Sequence, residues 1–278
     1  MSFDIPGPTT LEALERVAVE VARSCGELIL QRPAVVDVAD TKSSPVDVVT
    51  EMDRRSEELA RRRLAELRPD DGLLGEEGLD LPGTSGITWI IDPVDGTVNY
   101  LYGQLSYCVS VAAAVGDARV EGGWRPVAAA VYNPLLNELF HARKGGGAHF
   151  VAAGTRQRLV FDGSQDLMTS LVGTGFGYAV ERRVWQAKLL LDVIPHIRDI
   201  RRLGSAAMDL CYVGLGRIDA YYERGLNNWD IAGGWLVAEE AGAVVQGLST
   251  PYPTQDFTVV GRDSVVNQLV DLARPHFA

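Results

Sequence analysis

Leu11, Leu14, Val17, Ala18, Val21, Cys25, Leu28 and Ile29 recur at three- and four-residue spacing with polar residues between them. That period predicts an amphipathic helix ending near Pro33, and Thr9 with Glu12 has the spacing of a capping box at its start. Thr50 and Asp53 repeat the box ahead of Met52, Leu59, Ala60, Leu64 and Leu67, so a second helix runs to Pro69. From Ile87 the period shortens. β-rich runs at 87–91, 107–115, 127–132, 138–141 and 159–161, separated by Gly, Asn and Pro, predict neighbouring antiparallel strands of one sheet. Past Gly163 strands at 170–174, 197–203, 219–222 and 258–261 alternate with helices over 181–193, after Ser205, after Asp230 and after a cap at Asp263. Mixed sheets covered by helices follow, an α+β class. A division near residue 163 gives an N-terminal half, 1–163, and a C-terminal half, 164–278, expected to share one cleft.

Composition narrows the function. A chain of 278 residues, 46% hydrophobic and 23% charged, can bury a large core, which excludes disordered, fibrous and miniprotein classes. The balance of 26 Lys and Arg against 37 Asp and Glu leaves −11. Such a field repels polyanions, so no direct nucleic-acid binding and no anionic-membrane binding are expected, while small anions remain accessible if metal ions intervene. Cys25, Cys108 and Cys211 are too few and scattered for a disulfide framework or a thiolate zinc site, and they fit a reducing cytoplasm. No basic segment followed by an apolar stretch opens the chain, and no run of about 18 apolar residues occurs, so neither export nor membrane spanning is expected.

The segment Trp89-Ile90-Ile91-Asp92-Pro93-Val94-Asp95-Gly96-Thr97-Val98-Asn99 carries the most chemistry. An apolar strand delivers Asp92 to its end, Pro93 stiffens the exit, and Asp95-Gly96-Thr97 can turn into a helix start. Two carboxylates and a backbone carbonyl are hard oxygen donors of the kind Mg²⁺ takes, and free amides receive phosphate oxygens. Taken alone, the same spacing also suits an Asp-rich turn with Asp95 as a helix cap. Gly75-Glu76-Glu77-Gly78 adds a pair of acids between glycines, and Asn227-Asn228-Trp229-Asp230-Ile231-Ala232-Gly233-Gly234 puts an acid at the start of a closely packing helix. Arg198, Arg201 and Arg202 could meet an anionic substrate or partner but read first as an exposed basic edge, and Gly145-Gly146-Gly147 reads as a turn. His141, His149, His196 and His276 are scattered, and none falls in a ligand or triad motif.

Together these pieces, with Asp47-Val48-Val49-Thr50-Glu51-Met52-Asp53, Gly204-Ser205-Ala206-Ala207 and Asp219-Ala220-Tyr221-Tyr222-Glu223, resemble the inositol monophosphatase family of lithium-sensitive, Mg²⁺-dependent phosphatases. The resemblance spans most of residues 40 to 245 in order. It implies a layered α-β-α-β-α sandwich, usually a homodimer, and hydrolysis of a phosphate monoester, with Li⁺ as inhibitor. It maps Glu76, Asp92, the Val94 carbonyl, Asp95 and Asp230 onto metal ligands, with Asp92 bridging two ions. Gly96 and Thr97 map onto phosphate contacts, Asp53 and Thr97 onto a hydrogen-bonding pair beside the reacting water, and Glu76 onto a catalytic role there. Asp95, the Ala206 backbone and Glu223 fall where substrate is recognised, and Lys42 falls in a mobile loop over the site. Charge balance gives two to three Mg²⁺ per site, because four carboxylates and a phosphate cannot share a pocket unneutralised.

Asp219 to Gly225 resembles the inositol branch, which favours myo-inositol 1-phosphate. Asn227 stands where many animal members carry His, and the Gly173 to Tyr178 loop lacks their substrate-side hydroxyl pattern. Fructose 1,6-bisphosphate, histidinol phosphate and 3′-phosphoadenosine compounds are therefore kept as alternatives, as is a partner role in transcription complexes with secondary phosphatase activity.

Overall fold

A computed structural model describes residues 3–33, 36, 38–41 and 48–277. Its elements are α1 (Pro8–Ile29), β1 (Val38–Thr41), β2 (Val48–Thr50), α2 (Glu51–Leu67), β3 (Gly72–Gly75), β4 (Ile87–Asp95), α3 (Thr97–Tyr102), β5 (Cys108–Gly116), β6 (Trp124–Asn133), β7 (Glu138–Arg143), β8 (Gly147–Ala152) and β9 (Thr155–Arg158). They continue with β10 (Leu171–Thr174), α4 (Val180–Val193), β11 (Asp199–Arg201), α5 (Ala206–Leu215), β12 (Ala220–Glu223), α6 (Asn228–Ala241), β13 (Val244–Gln246), β14 (Thr258–Gly261) and α7 (Asp263–Ala273).

Strands β3 to β9 form a seven-stranded sheet in sequence order, antiparallel except for the parallel β3–β4 pair. A five-stranded mixed sheet runs β11-β10-β12-β14-β13. Helices α1 and α2 cover one face of the larger sheet, and their apolar stripes close a core with Trp89, Ile91, Val109 and Val111. Helices α5 and α6 fill the space between the sheets, where Met208, Leu210, Leu236 and Val237 meet residues from both. Helices α4 and α7 cover the outer face of the smaller sheet around Phe257 and Leu269. The order is the α-β-α-β-α sandwich. Burial of this much apolar surface is the main stabilising term.

Some local expectations fail for identifiable reasons. Helix α1 starts at Pro8 with Gly7 as its cap, so Thr9 and Glu12 lie inside it rather than boxing its start; proline suits a first turn that lacks hydrogen-bond acceptors for its N–H groups. Residues 159–161 form no strand. The last strands of that sheet are instead β8 and β9, whose short, partly exposed runs lack a period-2 alternation. Helix α6 begins at Asn228, before Asp230, and α7 is capped by Arg262, with Asp263 as its first residue. Strands β3 and β13 are too short to register as periodic runs.

Candidate active site

Strand β4 pairs with β5 as far as Asp92 opposite Ser110. The register then breaks, and Asp95 faces Cys108. That irregularity spans Pro93, which has no N–H to give to a ladder, and it interrupts the regular pairing between the two carboxylates. Asp92 Oδ1 accepts the Val94 N–H at 3.0 Å. Gly96 then adopts φ +94°, and a Cβ there would stand 2.9 Å from the Ser106 carbonyl oxygen, so both backbone angle and close approach demand glycine before α3.

Asp230 arrives from the first turn of α6. Its Oδ2 accepts the Asn227 N–H at 2.6 Å and completes a capping box. The helix can approach because Gly233 and Gly234 meet Ser110 and Leu210, where a Cβ would crowd within 2.5 Å of either. Asp92, Asp95 and Asp230 each offer a carboxylate oxygen, all within 4.8 Å of one another. Asp95 Oδ2 also accepts from Ser205 Oγ at 2.7 Å and from the Ala207 N–H at 2.7 Å, at the start of α5. Burial raises the Asp95 carboxyl above its ordinary value against those hydrogen bonds. Burial, then the charges of Glu76 and Asp95, push Asp230 well above the usual carboxylate range. Buried, mutually repelling, all-oxygen donors fit a hard dication such as Mg²⁺.

Glu76 follows β3 in a turn that a second acid holds. Glu57 of α2, 2% exposed and paired with Arg61 at 2.6 Å, accepts the Glu77 N–H at 2.7 Å. A Cβ at Gly75 or Gly78 would lie 2.6 Å from that carboxyl group, which is why glycines flank the acids. Thr97 Oγ1 donates to Asp53 Oδ1 at 2.9 Å and lies 3.1 Å from the Val94 carbonyl oxygen. The other Asp53 oxygen closes the capping box of α2 by accepting from the Thr50 N–H at 2.9 Å.

Opposite the acids, β12 ends at Glu223, whose Oε2 accepts from the Tyr221 hydroxyl. Burial pushes the Glu223 carboxyl up to about 7, against the Tyr221 hydrogen bond and the charge of Arg202. Glu76, Asp92, Val94, Asp95, Gly96, Thr97, Ala206, Glu223 and Asp230 all line one cleft of about 410 Å³. Asp53 joins through Thr97, and Lys42 lies outside the described residues. Sequence reasoning missed two residues here, Arg182 and Asp209, and it read Arg202 first as an exposed edge and second as an anion contact. Arg182 lines the cleft and approaches the Gly225 carbonyl at 3.3 Å, and the exposed Arg202 lines it too rather than belonging only to a basic edge. Asp209 of α5 is 1% exposed, and its Oδ1 has no hydrogen-bond partner among the described residues. Burial, then the charges of Glu223 and Asp95, hold its carboxyl well above the ordinary range. Inside an apolar helical run, an acid with no local partner was the available signal.

The sequence profile of the inositol monophosphatase family matches residues 10–271. The chain belongs to the inositol monophosphatase family. It is a phosphoric monoester hydrolase of that family, whose members are metal-dependent. Among its relatives, an inositol-1-monophosphatase of Mycobacterium bovis is 49% identical over 215 residues, covering 76% of this chain and 71% of that protein. A protein of Pasteurella multocida named Nus factor SuhB is 35% identical over 264 residues, covering 93% and 95%. The solved structure of Mycobacterium tuberculosis SuhB superposes with a TM-score of 0.79 at 40% identity, covering 95% of this chain and 97% of that one. No helix among the described residues is long and apolar enough to cross a membrane.

Proposed function

We propose that this phosphatase hydrolyses small polyol phosphates, myo-inositol 1-phosphate first among them, with two to three Mg²⁺ held by Glu76, Asp92, the Val94 carbonyl, Asp95 and Asp230. The observation that carries the reading is the convergence of Asp92, Asp95 and Asp230 within 4.8 Å, across one cleft from Glu223. When bound, the ions supply charge neutralisation, acidify the attacking water and polarise the phosphate. The remaining work belongs to the chain. The Gly96 and Thr97 amides seat phosphate oxygens, and the Ala206 backbone and Glu223 take hydroxyls of the polyol. Glu76 and the Thr97–Asp53 pair orient the water and accept its proton as its oxygen bonds to phosphorus and the ester oxygen leaves. Direct attack fits better than a phosphoenzyme, because Asp92 and Asp95 are both committed to the metal cluster.

Release of phosphate from a panel of monoesters, with and without Mg²⁺ and Li⁺, tests the reading. Mg²⁺-dependent, Li⁺-inhibited turnover with the inositol ester ahead of fructose 1,6-bisphosphate, histidinol phosphate and 3′-phosphoadenosine compounds is expected. Turnover without divalent cations overturns the metal assignment, and preference for another ester overturns the substrate. The relatives named Nus factor SuhB support a second reading, a role in transcription complexes, which requires capture of polymerase factors by a variant lacking turnover. The reading also places a homodimer in the cytoplasm, where the buried thiols of Cys25, Cys108 and Cys211 would remain reduced. Residues 1–163 and 164–278 serve in it as the two walls of one compact unit.

A further inference from the structure

A second cluster of metal-ligating side chains stands apart from the cleft, on the α1 face of the larger sheet. His141 of β7 and His149 of β8 are direct cross-strand partners, their rings 5.2 Å apart and 19° from parallel. Glu15, on the buried face of α1, meets them with Oε1 2.6 Å from His141 Nδ1. Each of the three offers one ligand atom, and these atoms lie within 4.8 Å of one another. His149 Nδ1 is buried and has no hydrogen-bond partner among the described residues. A buried imidazole nitrogen without a hydrogen-bond partner, on a residue clustered with a carboxylate and a second imidazole, calls for a ligand.

We propose that Glu15, His141 and His149 form a peripheral site for a borderline dication such as Zn²⁺, with water completing its coordination. Two imidazole nitrogens and one carboxylate oxygen suit Zn²⁺, whereas the all-oxygen cleft suits Mg²⁺. Tetrahedral ligand atoms about 2.0–2.2 Å from zinc stand roughly 3.3–3.6 Å apart, wider than the 2.6 Å between His141 Nδ1 and Glu15 Oε1, so those two atoms separate as the ion enters. The hydrogen between His141 Nδ1 and Glu15 Oε1 passes to Nε2 or to solvent as the ion takes its place. Arg143 donates to Glu15 Oε2, which orients the carboxylate and leaves Oε1 to the metal. Arg156 and Arg158 of β9, the latter paired in register with His149, add positive charge that limits affinity. The bound ion would clamp α1 to the β7–β8 hairpin, independently of the phosphatase site.

Full-length protein in excess Mg²⁺, which occupies the carboxylate cleft, is given Zn²⁺, dialysed and assayed for metal content and melting temperature. One equivalent of zinc retained, with a raised melting temperature, is expected for the unaltered chain. His141→Gln and His149→Gln should each lose the zinc and the thermal shift while keeping Mg²⁺-dependent phosphatase turnover. Zinc-dependent shifts of the His141 and His149 imidazole nitrogen resonances in the unaltered protein read the site without any variant. No retained zinc, unmoved imidazole resonances, or equal retention by folded variants overturns the proposal.

Discussion

The Thr97 hydroxyl donates to Asp53 Oδ1 at 2.9 Å, joining residues 44 apart in sequence at the lip of the acidic cleft. Asp53 has two duties, because its other oxygen caps α2 through Thr50. The duties separate by mutation. Thr97→Val removes the hydroxyl and leaves the cap, so kcat should fall by about 10²–10⁴-fold with little change in melting temperature. Asp53→Ala should show the same kinetic loss and a further loss of about 1 kcal/mol from the missing cap. Steady-state kinetics and urea melts of both variants check this; equal stability of the two would remove the double role.

Metal removal has a sign that the buried acids dictate. Without cations, burial and the charges of Glu76 and Asp95 raise the Asp230 carboxyl, so at neutral pH the empty cluster strains the fold. Adding Mg²⁺ should therefore raise the melting temperature of chelator-treated protein. Asp92→Asn should abolish that rise and the stoichiometric heat of Mg²⁺ binding in calorimetry, while the metal-free variant melts at or above the metal-free parent. Unchanged Mg²⁺ binding would remove Asp92 from the ligand set.

If Glu223 takes substrate hydroxyls as proposed, recognition depends on pH. Burial pushes its carboxyl up to about 7, so acceptance of two polyol hydroxyls by the charged form would be gained as pH rises through that value. KM for a polyol phosphate should fall from pH 6 to 8, whereas an aryl phosphate without ring hydroxyls should lack that change. A folded-state value raised above the ordinary 4.5 also means stability complete below about 4.5 and lost as pH climbs through about 7, on the order of 3 kcal/mol. Glu223→Gln should flatten the KM profile, read by kinetics, and make the pH slope of stability shallower in urea melts of metal-free protein without abolishing it, because Asp95, Asp209 and Asp230 are raised as well.

The acidic corner was legible because its chemistry is local. Asp92, Pro93, Asp95 and Gly96 occur within five consecutive positions, and their residue types alone demand a strand end, a break and a turn. Helix α1 was equally open to reading, since nine of its residues are buried and most lie on one stripe. What stayed hidden is contact made only by tertiary packing. His141 and His149 looked scattered until the β7–β8 register set them side by side against Glu15, 126 positions from His141. Asp209 and Arg182 reach the cleft only because α5 packs against β12 and α4 bonds through Arg182 and Gln186 to the Gly225 and Arg224 carbonyls just after it, which no local period encodes.

Glu57 belongs to that hidden group, and it decides where Glu76 sits. Its carboxylate fills the concave side of the 75–78 turn, held by Arg61 and accepting the Glu77 N–H. Gly75→Ala places a methyl 2.6 Å from the Glu57 carboxyl carbon. Overpacking of that kind costs about 1–3 kcal/mol and must displace either the turn or the acid. Glu57→Gln keeps the shape but breaks a buried ion pair, a loss of about 3–5 kcal/mol where the partner charge remains enclosed and less here because Arg61 is 19% exposed. Both changes leave every cleft carboxylate in the sequence. A Glu76 shifted by about 1 Å can nevertheless lower turnover by about 10²-fold. Kinetics and melts of the two variants, followed by Mg²⁺ titration, distinguish a moved Glu76 from a destabilised fold. Reduced kcat and weakened Mg²⁺ affinity in protein that remains folded support the positioning role; parental values for both would remove it.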